Sequence, residues 1–137
     1  DYLNEVYIYD NAVIDTKLRI EAMSNDVSFV KTIRPLEITA VLDNFISNAE
    51  KAINSINPIL SINFRMDNSQ LEITIADNGK GIKKEDLGEI FDLGYTTTDG
   101  SGIGLFQVHD IVVNKMGGTI KVDSELNKGT TFTLTIP

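Results

Sequence analysis

The sequence predicts an α+β fold: a two-layer sandwich in which a mixed, mostly antiparallel sheet is covered on one face by helices. Three observations point there. Apolar residues recur at helical spacing through two long stretches, Ile38 to Ile56 and Ile103 to Met116. Strand-like runs come in neighbouring pairs joined by short polar turns, the pattern of hairpins and so of antiparallel pairing. Helices and hairpins in this arrangement cover one face of one sheet, and they lack the regular strand–helix alternation of a doubly wound parallel sheet.

At the N-terminus, residues 1–16 are mixed in character and read as a short helix, an arm or the remnant of a linker, with the domain proper spanning 17–137. From Lys17 to Met23, Leu18, Ile20 and Ala22 alternate with their neighbours at the period of a strand. Ser24-Asn25-Asp26 then turns the chain, and Val27 to Ile33 is the expected hairpin partner. Pro35 stands just ahead of the first long helix, where a fixed φ and a missing N–H are tolerated. That helix is expected to reach about Ile56, because Asn57-Pro58 disfavours helical backbone. Ile59 to Met66 and Leu71 to Ala76 form strands about the turn Asp67-Asn68-Ser69. Asp77 to Gly102 is rich in loop residues, with a short helix expected near Glu85 to Phe91. The second amphipathic helix, Ile103 to Met116, stops at Gly117-Gly118. Thr119 to Ser124 and Thr130 to Ile136 make the last hairpin, in which Thr130, Phe132, Leu134 and Ile136 share one face and Thr131, Thr133 and Thr135 the other.

A length of 137 residues suits one domain with one core. The net charge of −8 argues against binding nucleic acid or an anionic membrane surface by electrostatics. It also means that an anionic ligand has to be held by magnesium or by local lysines. The chain contains no cysteine, so it has no disulfide framework, which fits a reducing compartment. No apolar run is long enough to span a membrane, and no signal-peptide pattern is present. Asp1 in place of an initiating Met is expected of a piece of a longer protein, so a membrane segment or partner domain can lie outside it.

The residues that carry chemistry begin in the first helix. Asn44, Asn48 and Lys51 follow one another at spacings of four and three and so share a face, opposite the apolar Ile38, Val41, Leu42, Phe45, Ala49, Ile53 and Ile56. Amide oxygens are hard ligands suited to magnesium, and a lysine ammonium is a point charge for phosphate. The ordinary role of such a stripe, a solvated helix face, stays open on these residues alone.

Two glycine clusters follow. Asp77-Asn78-Gly79-Lys80-Gly81-Ile82 comes directly after a strand, where a carboxylate can accept a hydrogen bond from an exocyclic amine and glycines let backbone approach a flat ring. A plain Asx turn fits the same residues. Gly100-Ser101-Gly102-Ile103-Gly104-Leu105 runs into a helix and can offer N–H groups to phosphate, although it matches neither the P-loop nor the dinucleotide-binding fingerprint. Between the clusters, Ile90-Phe91 reads as an anchor on the body and Gly94-Tyr95-Thr96-Thr97-Thr98 as a movable lid or an ordered surface loop.

In this order, the motifs resemble the catalytic, ATP-binding domain of sensor histidine kinases, within the superfamily shared with type II topoisomerases, the 90-kDa heat-shock chaperones and the mismatch-repair ATPases. The resemblance covers roughly residues 36–137. It implies the Bergerat-type ATP-binding fold, with ATP and magnesium as cofactors. Asn48 is then the magnesium ligand, Asn44 lies near the metal and phosphates, and Lys51 contacts phosphate; these three are the implied catalytic residues. Asp77 accepts the adenine amino group, with Gly79, Gly81 and Ile82 lining the base and Thr130 supporting the Asp77 end of the pocket. Phe91 anchors the ATP lid, which includes Thr96 and Thr97. Ser101, Gly102, Ile103, Gly104 and Leu105 form the turn and helix start on the phosphate side.

Hydrolytic members of the superfamily carry Glu where this chain has Asn44. An amide cannot take the proton of an attacking water, so the resemblance implies poor hydrolysis and transfer to an outside nucleophile. Asp43 does not substitute, being turned about 100° around the helix. Thr98 stands where related lids often carry Lys, which puts efficiency of turnover in question rather than binding. His109 falls at an ordinary helix position; the family's phosphoacceptor lies on a separate helical hairpin upstream. The implied partners are that hairpin and a downstream response regulator, with no nucleic acid and no direct membrane contact. The implied location is the cytoplasmic side of a membrane-anchored sensor. Two alternatives remain at this point: a stand-alone anti-sigma-type serine kinase, whose helix usually has Glu at the Asn44 position, and a nucleotide-binding regulatory module without transfer.

Overall fold

The computed structural model describes residues 5–9, 19–24, 35–51, 53, 57–67, 69–95 and 104–137. The elements are strands β1 (Glu5–Tyr9) and β2 (Arg19–Ser24), helix α1 (Pro35–Lys51), strands β3 (Ile59–Asp67) and β4 (Gln70–Asp77), helix α2 (Gly104–His109), and strands β5 (Thr119–Glu125) and β6 (Gly129–Ile136). They form one six-stranded sheet in the order β1-β2-β3-β4-β6-β5. Every neighbouring pair is antiparallel except β2 with β3. A parallel pair needs a crossover rather than a tight turn, and α1 supplies it, lying between β2 and β3 in the chain.

Burial follows the expected periods. Along β6 the residues Thr130, Phe132, Leu134 and Ile136 are buried, and along β4 Leu71, Ile73 and Ile75. Leu60 and Ile62 of β3 complete this face. Above it lie Ile38, Val41, Phe45 and Ala49 of α1, spaced three and four apart, and Val108, Ile111 and Val112 from the second helical stretch. Burying an aliphatic or aromatic side chain of this kind stabilises by about 1.5–3 kcal/mol. The opposite sheet face carries half-buried polar residues such as Glu72, Thr74, Thr131 and Thr133, so the sandwich has two layers.

Several expectations change. The segment 1–16, expected as a helix, arm or linker, contributes β1 to the sheet edge. β2 has β1 and β3 as its neighbours; Val27 to Ile33, expected as its hairpin partner, lies outside the described residues. Alternation identifies a strand but not its neighbour, which is settled by packing against distant segments. Ile53 is already outside the first helix, so α1 does not continue to Ile56; residues 54–56 are not described. The Asn78 side chain gives one reason. It accepts from Ile59 N–H at 2.8 Å and donates to Asn57 O at 2.9 Å, fixing the approach to β3 as extended chain.

The second helix is helical from Gly104 onward, but only to His109 in the α form. Asp110–Lys115 is a π-helical turn, closed by Met116 N–H on Ile111 O at 2.9 Å. The short helix expected at Glu85 to Phe91 is instead a 3₁₀ turn at Lys84–Asp86 followed by successive turns. All its backbone bonds reach back three residues, among them Glu89 N–H to Asp86 O and Asp92 N–H to Glu89 O, each 2.9 Å. Gly88 in its middle is a poor helix former.

Candidate functional site

Asp77 is the last residue of β4 and stands opposite Thr130 of β6. Its Oδ1 accepts the Gly79 N–H at 2.9 Å, an Asx turn that bends the chain out of the sheet. Burial raises the Asp77 carboxyl above its ordinary pKa, while hydrogen bonds from the Gly79 and Thr130 N–H groups pull the other way. The result is a partly desolvated carboxylate with strong acceptor character. A hydrogen-bond donor brought beside it would be well received.

The loop after Asp77 is strapped to the β5–β6 hairpin. Asn127 N–H donates to Lys80 O at 2.7 Å, and Ile82 N–H to Ser124 Oγ at 2.7 Å. Ser124 Oγ lies 3.0 Å from Gly129 O and 2.8 Å from Thr130 Oγ1. The fit is close enough to require glycine twice. Gly81 has φ +73 and Gly129 φ +135; a Cβ on the first would collide with the Glu125 carbonyl, and one on the second with the Asp77 carbonyl. Gly79 is buried and Ile82 half-buried in this loop.

The amide helix lies on the same sheet face. Phe45, next to Asn44, packs on Phe132 with ring centroids 4.8 Å apart. Thr130 is two residues further along β6, roughly 7 Å. Asn44 Nδ2 donates to Ala40 O at 2.9 Å and to Gln107 Oε1 at 3.3 Å. These bonds commit the nitrogen and turn Oδ1 towards the start of α2. A Cβ on Gly104 would sit 3.1 Å from Asn44 Oδ1 and 3.7 Å from Asn48 Oδ1, so both amide oxygens converge on that residue. Lys51 is exposed in the last turn of α1, and Leu105 is half-buried against the core.

Phe91 packs on the body: its ring meets His109 at 5.3 Å and Phe132 at 6.3 Å, and Ile90 beside it is buried. His109 is thus a half-buried packing partner of Phe91. Tyr95 packs against the core with its hydroxyl buried and without a hydrogen-bond partner among the described residues; burial first, then the Asp86 and Glu89 charges, push its pKa up. Thr96, Thr97, Thr98, Ser101, Gly102 and Ile103 lie outside the described residues.

Among the described residues, no three His, Cys, Asp or Glu side chains gather to hold a metal. The donors on α1 are neutral amide oxygens, which suit a magnesium ion whose remaining ligands come from a ligand's own oxygens and water. The sequence did not single out Ser124, Asn78 or Gln107. For Ser124 a signal existed: Ile120 and Val122 mark the core-facing positions of β5, and the next such position is a serine.

A family described as histidine kinase-, DNA gyrase B- and HSP90-like ATPases matches residues 33–137. The sensor histidine kinase ZraS of Escherichia coli (strain K12) is 40% identical over 104 residues, 75% of this chain and 22% of that protein. Among solved structures, full-length ShkA in complex with AMPPNP aligns with a TM-score of 0.66 and 27% identity over 74% of this chain and 21% of that one. The mycobacterial sensor histidine kinase MprB aligns over 98% of this chain and 97% of that one with a TM-score of 0.70 and 20% identity, a likeness of fold. The chain spans about a fifth of the length of the curated relatives it matches.

Proposed function

The chain belongs to the family of histidine kinase-, DNA gyrase B- and HSP90-like ATPases, and from that premise we propose that it is the ATP-binding kinase module of a two-component sensor. It binds Mg-ATP and supplies the γ-phosphate to a histidine on a separate dimerising helical hairpin of the same protein, which passes it to a response regulator. Relatives named as sensor kinases support this over an anti-sigma-type serine kinase or a regulatory module without transfer. A site fed by ATP belongs on the cytoplasmic side of a membrane-anchored sensor; among the described residues no helix is long and apolar enough to cross a membrane.

The observation that carries the reading is the convergence of the Asn44 and Asn48 oxygens at Gly104. Asn48, with Asn44 beside it, holds magnesium, which neutralises phosphate charge when bound. Lys51 contacts phosphate. Ser101, Gly102, Ile103, Gly104 and Leu105 border the phosphates. Asp77 accepts the adenine amine, Gly79, Gly81 and Ile82 line the ring, and Phe91 anchors the segment that carries Thr96 and Thr97. The work of these residues is positioning and charge compensation. With an amide at position 44 no side chain there can take a proton from water, so ATP waits for its acceptor.

The test is Asp77→Asn, read by calorimetric titration with Mg-ATP. Loss of a hydrogen bond to a charged acceptor should weaken binding about 10–100-fold. The unliganded variant should melt no lower than the wild type, because the substitution removes a desolvated charge. An unchanged dissociation constant would remove Asp77 from the base site.

A further inference from the structure

We propose that Ser124 is a positioning residue that sets the site's preference for an amino-bearing base by fixing the polarity of the Thr130 hydroxyl. The inference rests on the reading of Asp77 as the acceptor of the adenine amine. Ser124 and Thr130 are directly opposed on the core-facing side of β5 and β6, and Thr130 is itself opposed to Asp77 across β4 and β6. Ser124 therefore lies one strand further from the base, touching the residue that touches the site.

The proton count decides the orientation. A serine hydroxyl has one proton and two lone pairs. A carbonyl cannot donate, so the 3.0 Å contact with Gly129 O takes the Ser124 proton. The Ile82 N–H, at 2.7 Å, uses one lone pair. The contact with Thr130 Oγ1 at 2.8 Å must then be a donation from Thr130 to Ser124, which fills the other. All of the hydroxyl's capacity is used, and the Thr130 proton is drawn away from the site.

Thr130, only 5% exposed, is left with lone pairs alone to offer its surroundings. Asp77 as a carboxylate is also an acceptor. Two acceptors side by side favour a base edge that carries N–H donors and disfavour one that presents a carbonyl oxygen, since buried acceptors facing an acceptor are left unpaired. A 6-amino purine meets the first condition and a 6-oxo purine fails it. Removing the Ser124 hydroxyl frees Thr130 to rotate and donate, which suits the 6-oxo base better than before.

The experiment titrates the chain with Mg-ATP and with Mg-ITP, comparing wild type, Ser124→Ala and Ser124→Thr, and records the melting temperature of each without ligand. The wild type should prefer ATP. Ser124→Ala should narrow the ATP-over-ITP ratio by about tenfold, by favouring ITP relative to ATP, and Ser124→Thr, which keeps a hydroxyl, should restore it. Equal weakening of both nucleotides, or an unaltered ratio, overturns the inference while leaving the ATP-binding reading intact. A wild type silent to both nucleotides overturns that reading and this inference with it. Should Ser124→Ala fail to fold, Thr130→Val decides in its place: the same narrowing supports the inference, and a wild-type ratio overturns it.

Discussion

The two sides of the candidate site are built differently. The Asp77–Ile82 loop is held through its own backbone groups and by glycines that admit no Cβ: Lys80 O accepts from Asn127 N–H, Ile82 N–H donates to Ser124 Oγ, and Gly81 lies against the Glu125 carbonyl. The junction of α1 with α2 meets through side chains, namely Asn44 on Gln107 at 3.3 Å and two amide oxygens near Gly104. Backbone contacts of the first kind have one arrangement. Side-chain amides of the second kind are held by hydrogen bonds across rotatable bonds and can change rotamer when those bonds break. The difference suits the roles proposed for the two sides: a preformed cradle can discriminate between flat bases, whereas oxygens carried on side chains can follow a metal and phosphates as they shift during transfer.

The largest blow to this contrast comes from Gly81→Ala. Positive φ and collision with a carbonyl on a paired strand should together lower stability by about 3 kcal/mol or more. That corresponds to roughly 10 °C in melting temperature for a domain of this size, with ATP affinity lost in calorimetry. A variant that melts like wild type would show the cradle to be soft after all.

A pH titration probes the same side more gently. Because burial raises the Asp77 pKa, the carboxyl protonates earlier on acidification than an ordinary aspartate, and a protonated Asp77 is a poorer acceptor for an amine. ATP affinity should therefore fall as pH drops through the raised value, and the Asp77→Asn variant should lose that dependence. Stability moves oppositely. A folded pKa above the unfolded one means the ionised group destabilises the fold at high pH, and this penalty disappears below the unfolded pKa.

The smallest expected effect on the fold is that of Gly104→Ala. Alanine is favoured over glycine in a helix, and the methyl group would meet flexible amides rather than backbone. The melting temperature should hold to within a few degrees, roughly 1 kcal/mol, while Mg-ATP binding weakens severalfold because the methyl crowds the two oxygens. A fold lost as in Gly81→Ala would erase the distinction between the two sides.

How far these features could be read from the sequence follows from their range. The α1 stripe, the β4 and β6 alternation and the glycine clusters are local periodicities, and their buried faces match the expected ones, from Ile38 and Phe45 to Phe132 and Leu134. The Asp77 position at a strand end was legible for the same reason. The parallel pairing of β2 with β3 and the addition of β1 were not, since a strand's partner is chosen across sequence distance by packing. Nor were Gln107 and Asn78, whose partners lie 63 and 19 residues away. The π-helical turn at Asp110–Lys115 keeps Val108, Ile111 and Val112 inward, so periodicity alone could not separate it from an α-helix.

The crossover between β2 and β3 has a consequence for where this fold can be cut. The family match begins at residue 33, downstream of both β1 and β2. Trimming to that point would remove the neighbour of β3 and leave its N–H and C=O groups from Ile59 to Phe64 as a bare rim beside the helix that bears the amides. Open rims of this kind recruit foreign strands and promote clumping. An excision that begins at Glu5 keeps β3 paired, at the cost of a longer piece than the shared motifs alone would suggest.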